Sequence, residues 1–219
     1  MPAVVVGMTD AVQVAAGKWH ALALKADGTV WSWGWNRYGQ LGNSTFDDSN
    51  TPVQVTGLTG IVSIACGKYH SLAVKSDGTV WAWGYNLNGE LGDAGTGRGN
   101  HIPRQVLGLP HAVQVSAGDN TSYALMADGT LWSWGDDFYD QLANGTTPGY
   151  IMLPAQVLNL TNQTFVGAGA LHCLSVQSPI MNTATDMKDL SSVYGKSLTI
   201  KASLVDQRGA VLRSEEAHV

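Results

Sequence analysis

His20, His70 and His172 each stand three residues after a glycine. Imidazoles repeated in register are the side chains from which a zinc site could be built. Zinc needs ligands that converge to ~2 Å on one point. The corresponding place in the third copy holds Thr121, and equivalent places in separate repeats point away from a common centre. The three histidines are therefore read as hydrogen-bonding side chains at strand starts, and no metal is expected. Asp27, Asp77 and Asp128 also recur, each directly before a glycine: Gly28, Gly78 and Gly129. That spacing is turn chemistry and offers no carboxylate pair for general acid–base work. No G-x-S-x-G nucleophile motif occurs, and the glycine-rich GDAGTGRGN lacks the lysine of a phosphate-binding loop. No catalytic residue and no cofactor are expected, so the chain reads as a non-enzyme.

The tryptophans divide into two groups. Trp31, Trp33, Trp81, Trp83, Trp132 and Trp134 recur at fixed offsets, which marks them as packing residues. The aromatic and charged residues just after each W-x-W-G differ between copies: Trp35, Arg37 and Tyr38, then Tyr85, then Phe138 and Tyr139. Loop residues that vary on a repeated scaffold are the candidates for partner contacts.

The elements that must position these residues follow from the repeat itself. Residues 17–42, GKWHALALKADGTVWSWGWNRYGQLG, return at 67–92 as GKYHSLAVKSDGTVWAWGYNLNGELG, and again at 118–143. Pro2, Pro52, Pro103 and Pro154 mark the period of 50 or 51 residues. The units are 2–51, 52–102, 103–153 and a partial 154–179, in which Ser178-Pro179 stands where the others have Asp-Gly. Val62, Ile64 and Cys66 alternate along one strand, and Leu72 and Val74 along the next. The Asp-Gly pairs predict two-residue hairpin turns with φ > 0 at both residues. In the strand that follows, both indoles point to one face, with Val30 and Ser32, or Val80 and Ala82, on the other. Sheets apolar on both faces must be covered by neighbours, so the units stack. Four-stranded blades of a β-propeller are the expected form.

Composition agrees with an all-β chain rich in tight turns. Charged residues are 13% of 219, glycines number 26 and tryptophans 8. A net charge of −5 without a basic stripe argues against nucleic acid. No stretch approaches the ~20 apolar residues of a membrane span. Cys66 and Cys173 are far apart and read as small buried residues, free of any disulfide framework.

The string G-x-x-H-S/A-L-A-x-K-x-D-G-T-V-W-x-W-G-x-N-x-x-G-Q/E-L-G resembles the regulator of chromosome condensation repeat over residues 2–178. The wording is most similar to bacterial members, which implies a secreted or surface protein and an extracellular setting. The resemblance also implies a seven-bladed ring, of which four units would form an open arc. Its uncovered ends would call for upstream repeats or another chain. Residues 180–193 read as a polar linker. Residues 194–219 resemble the opening strands of a bacterial immunoglobulin-like domain, since Leu198, Ile200, Ala202 and Leu204 alternate with polar residues.

Three functions are compatible with this reading. The first is a binding scaffold for an unknown protein or glycan, through Trp35, Arg37, Tyr38, Tyr85, Phe138 and Tyr139. The second, implied by the family alone, is nucleotide exchange on a small Ras-like GTPase. The uniform repeat length leaves no room for the wedge-like insertion that such exchange implies. The third is a structural spacer without a ligand.

Overall fold

The computed structural model describes residues 4–177, 199–205 and 211–218, and within them every regular element is a strand. The first sheet joins β1 (Ala11–Ala16), β2 (His20–Lys25), β3 (Val30–Gly34) and β4 (Ser49–Gln54) in that order. The second joins β5 (Ile61–Cys66), β6 (His70–Lys75), β7 (Val80–Asn86) and β8 (Gly97–Gln105). The third joins β9 (Ala112–Ala117), β10 (Thr121–Met126), β11 (Leu131–Asp136) and β12 (Tyr150–Gln156). Each is an antiparallel meander, as short connections between consecutive strands dictate.

Register explains where the indoles go. Trp31 and Trp33 lie opposite Ala23 and Ala21, Trp81 and Trp83 opposite Ala73 and Ser71, and Trp132 and Trp134 opposite Ala124 and Ser122. A small residue across from each tryptophan leaves room for the ring on the sheet face. Trp83 and Trp134 are wholly buried. Burying ~200 Å² of aromatic surface contributes roughly 5 kcal/mol per ring at ~25 cal/mol per Å².

The hairpin turns differ from the two-residue form expected. Gly28 N–H donates to the Lys25 carbonyl and Lys25 N–H to the Thr29 carbonyl, so the loop has three residues, Ala26 to Gly28. Gly28 takes φ 78°, whereas Asp27 is not among the positive-φ residues. The turn is a type I turn closed by a left-handed glycine bulge. Asp27 instead uses its carboxylate, accepting from Thr29 N at 2.9 Å and from Thr29 Oγ1 at 2.6 Å. These two bonds hold its carboxyl below the usual carboxylate range. Asp77 and Asp128 do the same with Thr79 and Thr130. Strand β5 also departs from simple alternation. A bulge between Ile61 and Ser63 turns Val62 outward while Ile61 and Ile64 stay buried.

The apolar cores lie between sheets. Leu22 and Leu24 of the first sheet pack with Ile64, Ala73 and Trp83 of the second. Leu72 and Val74 of the second pack with Val115, Ala124 and Trp134 of the third. Tyr123 and Leu125 of the third meet Val166. The sheets touch in series, β1 and β2 on β5, β5 and β6 on β9, and β9 and β10 on the next first strand. First strands approach one another while fourth strands do not, so the first strands are innermost. The architecture is a four-bladed arc of a β-propeller.

The fourth sheet has the order β13 (Gln163–Ala168), β14 (Cys173–Gln177), β15 (Thr199–Val205) and β16 (Val211–His218). The backbone at Ser203 pairs with Ser175, and β16 pairs antiparallel with β15. Residues within 194–219, expected to open an immunoglobulin-like unit, thus occupy the third and fourth strand places of this blade. Period-two alternation suits either setting, and the sequence alone does not choose between them. The expected linker 180–193 lies outside the described residues.

Candidate functional site

The loop that follows each third strand is built around one buried side chain. Asn36 Oδ1 accepts from Leu41 N at 2.9 Å, and its Nδ2 donates to the carbonyls of Thr45 and Asp47, both at 3.0 Å. Asn86 and Asp137 hold the next two loops in the same way, through Leu91 N and Leu142 N. Burial holds the Asp137 carboxyl above its ordinary range. One hydrogen bond and one close backbone approach fix the turn after Asn36. Gln40 Oε1 accepts from Tyr38 N at 3.0 Å, and Gly39, with φ 80°, lies so close to the backbone of His101 that a Cβ there would collide. Gly89 approaches the backbone of Ile151 and Met152 in the same manner, so the loops after β3 and β7 overhang the following blade.

This overhang gathers aromatic rings at the first seam. Tyr38 reaches Tyr69 and Tyr85 of the next blade, with ring centroids 5.4 and 4.8 Å apart. Trp35 meets Tyr38 edge-on at 5.2 Å and Tyr69 at 5.4 Å. Lys68 lies 5.7 Å from the Tyr69 ring and pairs with Asp119 of the third blade at 3.3 Å. The four rings are half-buried, each held by the others. Burial, and then the charge of Glu90, raise the Tyr85 phenol above its usual value.

Of the residues singled out from sequence, Trp35, Tyr38 and Tyr85 come together here. Arg37 is exposed on the same loop. Phe138 is elsewhere, stacked edge-on against Tyr150 at 4.9 Å, with Tyr139 beside it 58% exposed. Tyr69 was not singled out. Its place holds Trp19 in the first repeat and Asn120 in the third, and that variation was the available signal.

The recurring histidines lie at the seams. His20 and His70 are buried, each on a serine of the following blade, whereas His172 is exposed. Burial pushes the His20 imidazole down to about 4 and that of His70 to about 3. Among the described residues no group of histidine, cysteine or carboxylate side chains could hold a metal ion. Cys66 and Cys173 are free thiols, and burial pushes Cys173 up to about 12.

Two models of the regulator of chromosome condensation (RCC1) repeat match the chain. One covers residues 27–74 and 77–125, the other 11–40, 61–90 and 112–141. The chain belongs to the RCC1 repeat family. The two frames cut the repeat at different points, yet both place the Asp-Gly turn and the W-x-W-G strand in matched segments. Among curated relatives, the human E3 ubiquitin-protein ligase HERC2 is 34% identical over 172 residues, 75% of this chain and 4% of HERC2. The Arabidopsis thaliana ultraviolet-B receptor UVR8 is 43% identical over 42 residues, 19% of this chain and 10% of the receptor. Among solved structures, Prp20p of Saccharomyces cerevisiae superposes with a TM-score of 0.69 at 24% identity, covering 85% of this chain and 47% of that one. Human WBSCR16 gives 0.71 at 22%, covering 95% and 52%. The RCC1 arc described here thus spans about half the length of these two solved chains, and a small fraction of the ligase.

Proposed function

We propose that this RCC1-repeat arc is a non-enzymatic scaffold that binds another protein through the rim formed by the loops after β3 and β7. One observation carries the reading: Trp35 and Tyr38, on the loop anchored by buried Asn36, are locked across a seam against Tyr69, between β5 and β6, and Tyr85, at the end of β7 beside buried Asn86. Rigid aromatic side chains lose little conformational freedom on docking, which is why they anchor protein interfaces. The rings meet at 54–88° to one another, presenting edges and phenol groups to a protein surface where a sugar would seek one open flat face. Phe138, Tyr139 and Arg37 extend the same rim. The bacterial wording of the repeats supports a place in a larger secreted or surface protein.

A second reading follows the structure of Prp20p, which concerns binding to Gsp1p and histones. At 24% identity that likeness carries the fold alone, so nucleotide exchange on a small GTPase enters only as an alternative outcome. The test is retention of partners on the immobilised chain by wild type and by a Tyr69→Ala/Tyr85→Ala variant with unchanged thermal unfolding. Loss of at least tenfold in affinity is expected. Equal retention by the variant overturns the rim assignment, and accelerated nucleotide release from a small GTPase replaces the scaffold with an exchange factor.

A further inference from the structure

The turns between the first and second strands meet in a row across the seams. Lys18 N donates to the Lys68 carbonyl at 3.3 Å, and Lys68 N to the Asp119 carbonyl at 3.1 Å. Trp35 N donates to the Trp19 carbonyl at 2.8 Å and Tyr85 N to that of Tyr69 at 2.9 Å, so these turns adjoin the aromatic rim. Trp19 is 58% exposed, with Lys18 Nζ 5.7 Å from its ring, and carries the patch onto the first blade.

Lys18, Lys68 and Arg37, which precedes Tyr38, border this patch in a chain of net charge −5. Lys68 is neutralised by Asp119 at 3.3 Å. Lys18 and Arg37 are exposed and, among the described residues, pair with no carboxylate. One blade further on, the sign of the rim reverses. Asp119 stands at the place of Lys18 and Lys68, Asn120 at that of Trp19 and Tyr69, and Asp136 at that of Trp35 and Tyr85. Cations and aromatic rings therefore disappear together. The rings themselves suit an anion, because the edges that their mutual tilts of 54–88° present carry the positive end of the aromatic quadrupole.

We infer that this patch, as part of the protein-binding rim proposed above, docks a short acidic segment of the partner protein. Lys18 and Arg37 take its carboxylates, and Trp19 is the anchor for its apolar part. Asp119, Asp136 and Asp140 repel any continuation of the negative charge, which holds the segment at the first seam. The same carboxylates bar a nucleic-acid backbone from running along the rim.

Fluorescence anisotropy with the full chain tests this. The probes are a labelled short peptide of glutamate, glycine and phenylalanine, its analogue with glutamine for every glutamate, and an oligothymidylate of matching length. The acidic peptide is expected to bind, and to bind several-fold more weakly as salt rises from about 50 to about 300 mM. Lys18→Gln/Arg37→Gln should weaken it about tenfold, since each exposed ion pair is worth up to about fivefold. Trp19→Ala, with thermal unfolding unchanged, should also weaken it about tenfold. Lys25→Gln/Lys75→Gln makes the same change in net charge at the opposite ends of β2 and β6, and should leave binding as in wild type. Equal losses in the two double variants overturn the inference, as does a glutamine peptide that binds as tightly as the acidic one. Trp19→Ala binding as wild type, or affinity for the acidic peptide weaker than about 1 mM, overturns it too. Tighter binding of the oligothymidylate replaces the acidic segment with a phosphate backbone. A partner that Tyr69→Ala/Tyr85→Ala releases but that salt and Lys18→Gln/Arg37→Gln leave bound would overturn the acidic segment and leave the rim scaffold standing.

Discussion

The indole N–H of Trp83 donates to the carbonyl of Gln40 at 2.8 Å, across a seam and 43 residues back in the chain. Trp134 repeats the bond with Glu90 at 2.8 Å. Gln141, next in the series, receives the phenol of Tyr123 at 3.1 Å instead, because no tryptophan follows in the fourth repeat. Trp83→Phe loses the bond and leaves part of the ring's volume empty, so it should cost roughly 2–3 kcal/mol. Trp33→Phe, on the open face of the first sheet, should cost under ~1 kcal/mol. Paired thermal unfolding curves measure the difference; equal losses would show that the seam bond contributes little.

Acid should loosen the seams. His20 and His70 are held neutral by burial, down to about 4 and about 3 from an ordinary 6.5. The unfolded chain therefore binds more protons below pH 6.5, and the stability these groups contribute is full above 6.5 and lost as pH falls towards 4. Urea midpoints at pH 7 and pH 4.5 should show a fall of a few kcal/mol. His20→Thr/His70→Thr, which copies Thr121, should flatten the change.

Glu90 works in the opposite sense. It fills the place of Gln40 and Gln141, with no exposed surface, and burial pushes its carboxyl up to about 8. Protonated, it has the shape and neutrality of the glutamines, whose side-chain oxygens likewise accept from the backbone two residues earlier. The native state holds a proton that the unfolded chain has lost above pH 4.5. Its contribution is therefore complete below 4.5 and disappears as pH rises to about 8. Glu90→Gln should remove that slope and raise stability at pH 8 by a few kcal/mol, read from denaturant midpoints against wild type at pH 5 and pH 8. Between 4.5 and 6.5 the histidines and Glu90 pull in opposite directions.

Two glycines separate backbone strain from crowding. Gly57 has φ 73° and open space around a would-be Cβ, whereas Gly78 has φ 81° and the His111 ring at 2.4 Å. Gly57→Ala should cost about 1 kcal/mol, the left-handed penalty alone. Gly78→Ala should cost at least twice that, because the ring of His111 must move. Similar losses for both would show that the ring yields freely.

The sequence announces its period, its Asp-Gly turns and the packing face of W-x-W, since these depend on residues close in the chain. The turn type escaped because an Asp-Gly pair serves both two- and three-residue hairpins, and Thr29 decides between them through the carboxylate of Asp27. Val62 escaped because a bulge resets alternation without changing composition. Gln13 pairing with the backbone of Ile64, and His20 with Ser71, join residues 51 apart, a distance at which no local pattern speaks. The rim needed both kinds of information: Trp35, Tyr38 and Tyr85 stand out as variable, but Tyr69 joins them only once one blade lies against the next.

Because every core sits between two sheets, a blade holds half of two interiors and none of its own. The boundary of a repeat is then arbitrary: a duplicated stretch of 51 residues, cut at any phase, brings one matching left half and one matching right half. Genes for such arrays can lengthen by unequal crossing-over wherever two copies align, with no privileged breakpoint to preserve. Residues such as Ser71 and His70 then become the register marks by which newly adjacent copies fit or fail to fit.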